Sequence, residues 1–252
     1  MTVIAVYNVK GGVGKTATAV NLSYLAAREG KRVLLCDLDP QGSASFYFRI
    51  RPKVKSGFKV LVKGGKKLLA GIKATDYQNL DLLPADFSFR NLDLVLEQVK
   101  HSKKRLQQSL EILADNYDLI FLDCPPNITL VSENIFNAAD FLIVPVIPTI
   151  LAQRTFDKLL VFLDRKEFPA GRVLAFFSMV EYRKKMHQNL LDTMSERYKC
   201  LLKNQIPFLA LIEKMGNYRE PVPARFPGSL AGRAYVILWK EVRRHLLKNK
   251  MW

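Results

Sequence analysis

A glycine-rich loop near the amino terminus constrains the fold of this chain more than any other feature of the sequence. It reads Lys10-Gly11-Gly12-Val13-Gly14-Lys15-Thr16 and follows the apolar run 3–8. The glycines let successive backbone N–H groups turn toward one anion, and the N-terminus of the helix predicted after the loop favours phosphate. A strand, an anion-binding loop and a helix in this order predict the phosphate-binding unit of an α/β nucleotide-binding fold.

The side chains of this loop predict a nucleoside triphosphate bound with Mg²⁺. Gly14-Lys15-Thr16 fits the end of the pattern G-x-x-x-x-G-K-S/T, in which the lysine reaches the β- and γ-phosphates and the hydroxyl ligates Mg²⁺. Val9 stands where that pattern has its first glycine, so the strict pattern fails. Lys10 adds a second lysine, and two interpretations are open. Either it stabilises charge that develops during phosphoryl transfer, as an arginine finger does, or it points to solvent.

Three aspartates at the ends of predicted strands predict the metal site. Asp37 and Asp39 end one apolar strand, and residues two apart on a strand share a side, so both carboxylates can face the phosphates. One can hold a Mg²⁺-bound water while the other orients the attacking water. Asp123 follows four apolar residues, which is the Walker-B pattern. A single aspartate in such a position is often only a turn or helix cap, but three of them beside a phosphate loop favour a metal site.

Apolar strands alternate with helices along the chain, which predicts a mostly parallel twisted sheet with helices on both faces. The 252 residues are 49% hydrophobic and contain no linker and no internal repeat, so we expect one domain, 1–252. Ligands of such sheets bind at the carboxyl ends of the strands, where the loop and the aspartates fall. The predicted strands are 3–8, 32–38, 80–84, 118–123, 141–145 and 173–177, and the predicted helices are 16–28, 88–116, 150–167, 184–199 and 229–250.

Together these motifs resemble the ParA/MinD family of deviant-Walker P-loop ATPases. The loop with Lys10 as signature lysine is that family's hallmark, and the segment 33–42, ending Asp39-Pro40-Gln41-Gly42, is similar to its ParA branch. Asp123-Cys124-Pro125-Pro126 and the placement of Ile206-Pro207 also match that branch. The resemblance covers essentially the whole chain. No helix-turn-helix extension precedes the loop, so site-specific operator binding is not expected.

The resemblance implies an ATP hydrolase that forms an ATP-sandwich homodimer with Mg²⁺. In such a dimer Lys10 acts on the nucleotide of the other subunit, and Asp39 positions the hydrolytic water. The implied catalytic residues are Lys10, Lys15 and Asp39, and the implied Mg²⁺ shell is Thr16, Asp37 and Asp123. The implied nucleotide contacts are Gly11, Gly12, Val13, Gly14, Lys15, Thr16, Ala17, Ile206 and Pro207, the last two near the adenine.

The resemblance also implies partners and a place in the cell. The ATP-bound dimer is expected to bind DNA without sequence preference and to partition or position a DNA or protein cargo. A ParB-like protein or another cargo adaptor is expected to stimulate hydrolysis and release the dimer. A cytoplasmic, nucleoid-associated protein is therefore expected.

Two departures from the family pattern modify these expectations. Ala17 replaces a second threonine that usually contacts the α-phosphate, so one hydrogen bond is missing and weaker nucleotide affinity is expected. Leu211 replaces an arginine that commonly follows the Ile-Pro pair, which argues against a simple transfer of the family's DNA contacts.

The positive charge of the chain is localised. The net charge is +16, and nine basic residues but no acidic residue lie in 49–75. A further 15 basic residues against 6 acidic ones lie in 181–252, and the rest of the chain is close to neutral. Mobile basic side chains suit contacts with a phosphate backbone, so both regions are candidate DNA surfaces. The alternative is that they are ordinary solvated faces.

Two other function classes stay open at this point. A MinD-like membrane-associated ATPase is the first alternative, because the basic last helix ends in Trp252. However, its apolar residues Tyr235, Leu238, Val242 and Leu246 have the spacing of a stripe packed on the domain. The second class contains the related amide-forming synthetases and the iron-protein reductases of the nitrogenase type. The reductases need paired cluster cysteines, and Cys124 has no obvious mate.

Overall fold

The strands form one sheet that is parallel except at one edge. The computed structural model describes residues 1–51, 65–85, 96 and 102–252. The strand order is β3-β4-β2-β5-β1-β6-β7-β8, and only β3 runs antiparallel to its neighbour. The strands are β1 (Thr2–Val6), β2 (Val33–Asp37), β3 (Lys73–Ala74), β4 (Leu80–Leu83), β5 (Leu119–Asp123), β6 (Phe141–Val146), β7 (Val173–Val180) and β8 (Ile206–Pro207).

Helices cover both faces of this sheet. The bounds are α1 (Lys15–Arg28), α2 (Ser43–Tyr47), α3 (Lys66–Gly71), α4 (Arg105–Glu111), α5 (Leu130–Ala138), α6 (Ile150–Arg165), α7 (Lys185–Arg197), α8 (Ala210–Glu213), α9 (Met215–Tyr218), α10 (Val222–Arg225) and α11 (Leu230–Lys248). Short 3₁₀ turns span Ser102–Lys104 and Ala170–Arg172. The predicted α/β class with a mostly parallel sheet is confirmed.

The alternation of side chains along each strand divides the core into two layers. On β1, Ile4 packs into the layer that contains residues of α1 and α11, while Ala5 packs into the layer that contains residues of α5, α6 and α7. Every residue of β1, β2 and β5 is buried. Because both faces are covered, polar and apolar residues do not alternate along these strands. Their polar members stand at the ends: Thr2, Asp37 and Asp123.

The six predicted strands and the helices predicted at 16–28, 150–167, 184–199 and 229–250 are confirmed, with corrected ends. From position 102 onward, the helix expected at 88–116 is a 3₁₀ turn at Ser102–Lys104 and the helix α4, which ends at Glu111 before turns at 112–116. Its positions 88–95 and 97–101 lie outside the described residues. The short edge strands β3 and β8 and the helix α5 were not predicted. Thr129 caps α5 in a capping box with Ser132, which fixes its first turn.

The last helix packs on the domain through the predicted apolar stripe. Tyr235, Leu238, Val242 and Leu246 are all buried against the layer that contains α1. The terminal Trp252 lies against Trp239 with ring centroids 5.6 Å apart, and the Lys31 ammonium sits 4.4 Å from the Trp252 ring centroid. The packed-stripe interpretation is therefore correct. None of the helices in the described ranges combines the length and apolar character that crossing a bilayer demands.

Candidate nucleotide and metal site

The sheet topology brings the predicted site residues to one edge. Asp37 ends β2 and Asp123 ends β5, and the two are register partners in adjacent parallel strands. Asp123 is also the register partner of Val6, the last residue of β1, after which the glycine-rich loop begins. The loop and both carboxylates therefore meet at the carboxyl edge of the sheet, as the order of elements predicts.

Glycines give the loop its shape. Gly12 and Gly14 have φ of +71° and +93°, a left-handed conformation that favours glycine. A Cβ at Gly14 would also lie 3.1 Å from the Ser178 hydroxyl oxygen of β7. By contrast, nothing lies within 4 Å of a Cβ placed at Gly11 or Gly12, so one side of the loop is open to a ligand.

A buried asparagine ties the loop to the sheet. The Asn8 Nδ2 donates to the Pro145 carbonyl at 2.8 Å, and its Oδ1 accepts from the Lys10 backbone N–H at 2.9 Å. Among the described residues no hydrogen bond or ion pair engages the Lys10 ammonium. The backbone of Lys10 is therefore fixed while its cation is available to another group.

Lys15 lies inside the loop as a buried cation. It is 7% exposed, and its Nζ donates to the Lys10 carbonyl at 3.1 Å. Burial lowers the pKa of Lys15, and the nearby carboxylates of Asp123 and Asp39 oppose that shift. A buried ammonium beside a glycine-rich loop at the start of a helix is suited to phosphate oxygens.

The two strand-end carboxylates are buried, and some of their oxygens have no hydrogen-bond partner. Asp37 and Asp123 are both 0% exposed. Within the described part of the chain, Asp37 Oδ1 and both oxygens of Asp123 have no hydrogen-bond partner. Burial raises the pKa of Asp37 to about 6, against the hydrogen bonds from Ser45. Burial, followed by the charge of Asp37, raises the pKa of Asp123 well above its usual range, and the charge of Lys15 opposes this.

These free oxygens fit a hydrated Mg²⁺. Buried polar atoms are normally satisfied, and orphaned ones point to an absent ion or water. The described residues contain no cluster of three or more His, Cys, Asp or Glu side chains at metal-binding spacing. Mg²⁺ needs no such cage, because it keeps several waters and is usually bound through one or two carboxylates plus the phosphates of the substrate. Asp37, Asp123 and the Thr16 hydroxyl are the groups that could supply the protein's part of such a shell.

Asp39 lies beside this pair in a turn of its own. Its Oδ1 accepts from the Gln41 N–H at 2.9 Å, and its carbonyl accepts from the Gly42 N–H at 2.9 Å. Gly42 has a φ of +63°, after which α2 begins. Asp39 is only partly buried, and its charge acts on both Asp37 and Lys15. It is therefore close to the predicted metal shell but still open to solvent.

Comparison with known proteins agrees with this geometry. A family model described as an AAA domain matches residues 1–167. The chain is 31% identical over 246 residues to the sporulation initiation inhibitor protein Soj of Bacillus subtilis, a match that covers 95% of this chain and 97% of that protein. The chain belongs to the ParA/Soj family of deviant-Walker P-loop ATPases. It is also 36% identical over 149 residues to the chromosome partitioning protein ParA of Caulobacter vibrioides, covering 58% of this chain and 56% of that protein.

Solved structures share the fold of this ParA/Soj family member. Cobyrinic acid a,c-diamide synthase of Mycobacterium smegmatis, with a bound ATP analogue and magnesium, has a TM-score of 0.83 at 26% identity and covers 97% of this chain and 95% of its own. Cyanothece McdA in complex with ATP has a TM-score of 0.84 at 19% identity over 98% of this chain and 96% of its own. At that identity the second likeness concerns the fold alone.

The remaining predicted contacts of the ParA/Soj site lie around α1 and β8. Ala17 is partly buried in the first turn of α1. Ile206 and Pro207 form β8, whose neighbour β7 presents Ser178 to the phosphate loop. Asn21 joins α1 to the segment after β8, because its Oδ1 accepts from the Val222 N–H at 2.8 Å. The chain that follows β8 is therefore fixed to the helix that follows the phosphate loop.

The two basic regions of the sequence differ in the structure. Positions 52–64 of the first region lie outside the described residues, and its Arg49 is ion-paired with Asp76 at 3.5 Å. In the second region, α11 exposes a row of cations on the side opposite its apolar stripe. We name this row the α11 basic stripe; its members are Arg233, Lys240, Arg244 and Lys248.

An apolar cavity of about 680 Å³ lies away from this site. It opens beside the start of β7, at the amino edge of the sheet, and is lined by Leu163, Val173, Tyr198 and His245 among others. The phosphate loop lies at the opposite edge. The cavity therefore takes no part in nucleotide binding.

Sequence reasoning missed two polar residues that support the site. The sequence pattern predicts Asn8 only as the end of the first strand, whereas in the structure it anchors the loop. No sequence motif marks Ser45, whose backbone N–H and hydroxyl both donate to Asp37.

Proposed function

We propose that this chain is a partition or positioning ATPase of the ParA/Soj type, formed by one domain, 1–252. In this proposal it dimerises on ATP, binds DNA without sequence preference, and hydrolyses ATP when a ParB-like protein or cargo adaptor stimulates it. The observation that carries the proposal is the arrangement at the carboxyl edge of the sheet. There a phosphate loop with two lysines lies beside two buried carboxylates that have oxygens without hydrogen-bond partners. A partition role is in keeping with the similarity to Soj and ParA.

Each residue of the site has a task in ATP hydrolysis. The backbone N–H groups of Gly11 to Thr16 and the Lys15 ammonium bind the phosphates. Thr16, Asp37 and Asp123 hold Mg²⁺ or its waters. When bound, Mg²⁺ neutralises charge on the β- and γ-phosphates. Asp39, which is open to solvent at this edge, orients the attacking water.

Lys10 supports the dimer in this proposal. Its backbone is fixed by Asn8 and by Lys15 Nζ, while no described residue of its own chain engages its ammonium. A cation held in this way can reach the phosphates bound by a second copy. There it would stabilise charge in the transition state, as an arginine finger supplied in trans does.

The α11 basic stripe is the DNA surface that the described residues favour. Its members recur along one side of a single helix and extend over about 22 Å. Glu241, the single acidic residue of α11, is buried and points to backbone N–H groups, so no acid of α11 offsets the stripe. No ion pair in the described part of the chain engages the stripe, although Arg233 donates to the Gly228 carbonyl. A row of cations of that length can neutralise several phosphates without reading bases.

DNA retention tests this function. Binding of the protein to random-sequence duplex DNA is measured with ATP, ADP and no nucleotide across a salt series. We expect retention with ATP alone, and a salt slope that becomes shallower in the double variant Lys240→Ala/Arg244→Ala. The control is Lys158→Ala/Arg165→Ala, which removes two exposed cations from α6. Retention that ignores the nucleotide, or that is absent even at low salt, would overturn the proposal.

The MinD-like membrane alternative was based on the basic last helix and its terminal Trp252, and the structure weakens that argument. The apolar side of α11 is packed on the domain, and Trp252 lies on Trp239 instead of being free. Co-sedimentation with anionic liposomes in the presence of ATP, with and without residues 243–252, separates the two functions. ATP-dependent liposome binding that requires those residues would favour the MinD-like alternative over the DNA-binding one.

A further inference from the structure

We infer that Ser45 is a positioning residue that turns the Asp37 carboxylate toward Mg²⁺. This inference rests on the proposed function, because it assumes that Asp37 belongs to the metal shell. Ser45 itself touches neither nucleotide nor metal in this assignment. It acts by fixing which oxygen of Asp37 is left free.

Ser45 binds one oxygen of Asp37 twice. Its backbone N–H donates to Asp37 Oδ2 at 2.8 Å, and its hydroxyl donates to the same oxygen at 2.7 Å. The Ser45 hydroxyl in turn accepts from the Ala85 N–H, which follows β4, at 3.1 Å. Because the Ala85 N–H occupies a lone pair of the hydroxyl, the hydroxyl proton is directed at Asp37. Ser45 is 4% exposed, so water does not compete for these positions.

The consequence for Asp37 is a carboxylate with two unequal oxygens. Oδ2 has both of its hydrogen bonds from Ser45, whereas Oδ1 is buried without a partner in the described part of the chain. The neighbouring Asp123 has both oxygens free and lies in register with Asp37. The free oxygens of the two residues are therefore left for the same cation. A partner that orients a metal ligand in this way commonly contributes about 10- to 100-fold to metal affinity.

Ser45 also closes the turn that contains Asp39. Asp37 and Ser45 stand at the two ends of this turn, and Gly42 begins α2 with a left-handed φ of +63°. The hydrogen bonds between the two ends hold α2 against β2. Loss of the hydroxyl alone should loosen the Asp37 carboxylate more than the backbone, because the Ser45 N–H still donates.

The test measures how strongly Mg²⁺ promotes nucleotide binding. ADP affinity is determined by titration calorimetry in EDTA and again with excess Mg²⁺, and the ratio of the two Kd values is the readout. The variants are Ser45→Ala, the conservative Ser45→Thr and the reference Asp37→Asn. The matched control is Ser43→Ala, a partly buried serine at the start of the same helix.

The expected pattern is specific to Mg²⁺. We expect Ser45→Ala to reduce the ratio about tenfold, with the EDTA value within about twofold of wild type, since the side-chain hydroxyl of Ser45 bonds Asp37 and Ala85 and not the phosphate loop. Ser45→Thr should recover most of the ratio, and Ser43→Ala should leave it unchanged. A wild-type ratio in Ser45→Ala would overturn the inference. Equal losses with and without Mg²⁺ would also overturn it, because they indicate general distortion. If Asp37→Asn itself leaves the ratio unchanged, the metal role of Asp37 in the proposed function fails instead.

Discussion

Glu241 offers the sharpest test of how the last helix is attached to the sheet. Its side chain is 7% exposed, and Oε1 accepts from the Lys203 N–H at 2.9 Å. Oε2 accepts from the Asn204 N–H at 2.9 Å and from the Asn204 Nδ2 at 2.6 Å. These bonds join α11 to the chain just before β8. Glu241→Ala removes the charged acceptor of these three hydrogen bonds, each worth about 1.5–3 kcal/mol. Because Lys203 is exposed and Asn204 is only partly buried, water replaces part of that loss.

The expected loss is therefore about 3 kcal/mol in the free energy of unfolding. For a chain of this size each kcal/mol corresponds to roughly 2–4 °C in Tm, so a fall of about 6–12 °C is expected. Urea unfolding followed by circular dichroism and a thermal melt give the two values. The ATP-induced rise in Tm should persist, because Glu241 acts at the amino edge of β8 while the phosphate loop lies at the carboxyl edge.

The control is Glu196→Ala, which removes an exposed carboxylate from α7. It is expected to change the stability by less than about 0.5 kcal/mol. A loss below about 1 kcal/mol in Glu241→Ala would refute the reasoning, since the carboxylate would then contribute no more than an exposed group.

Four further substitutions test the site itself. Lys15→Ala should abolish ATP binding measured by calorimetry, because it removes the buried ammonium from the loop. Asp39→Ala should still form an ATP dimer in size-exclusion chromatography, while its rate of ATP turnover falls about 10²-fold. Normal hydrolysis would contradict the water-positioning role. Lys10→Ala should keep ATP binding but lose the dimer or its stimulated turnover, and unchanged turnover would count against action in trans. Gly14→Ala should cost about 1–3 kcal/mol in stability and prevent ATP binding, because Cβ would meet Ser178 at 3.1 Å.

The strand pattern predicted most of the fold and the central carboxylates. Asp37 and Asp123 each follow a run of apolar residues, and parallel strands necessarily bring such ends together. The edge strands β3 and β8 escaped prediction because two residues carry no periodicity. The helix α5 escaped although its capping box was readable at Thr129 and Ser132.

The residues that hold the site in place were harder to predict than the site residues themselves. Ser45 reaches Asp37 because of the turn after β2 and the helix α2 that follows it. That helix has five residues, which is too short to leave a pattern in the sequence. Asn8 looks like any strand-end residue until the Pro145 carbonyl of β6 is placed beside it. Such contacts depend on how loops from different strands meet, and a local sequence pattern does not contain that information.

The packing of the two tryptophans determines what intrinsic fluorescence can report. Trp239 and Trp252 are the only tryptophans of the sequence, and they lie in one corner with the Lys31 ammonium over the Trp252 ring. Thr2 at the start of β1 donates to the Met251 carbonyl at 2.8 Å, which places this corner at the amino edge of the sheet. Tryptophan emission therefore reports whether the carboxyl terminus is packed on the domain. A change of emission upon adding ATP would mean that nucleotide binding at the carboxyl edge of the sheet alters the packing at its amino edge.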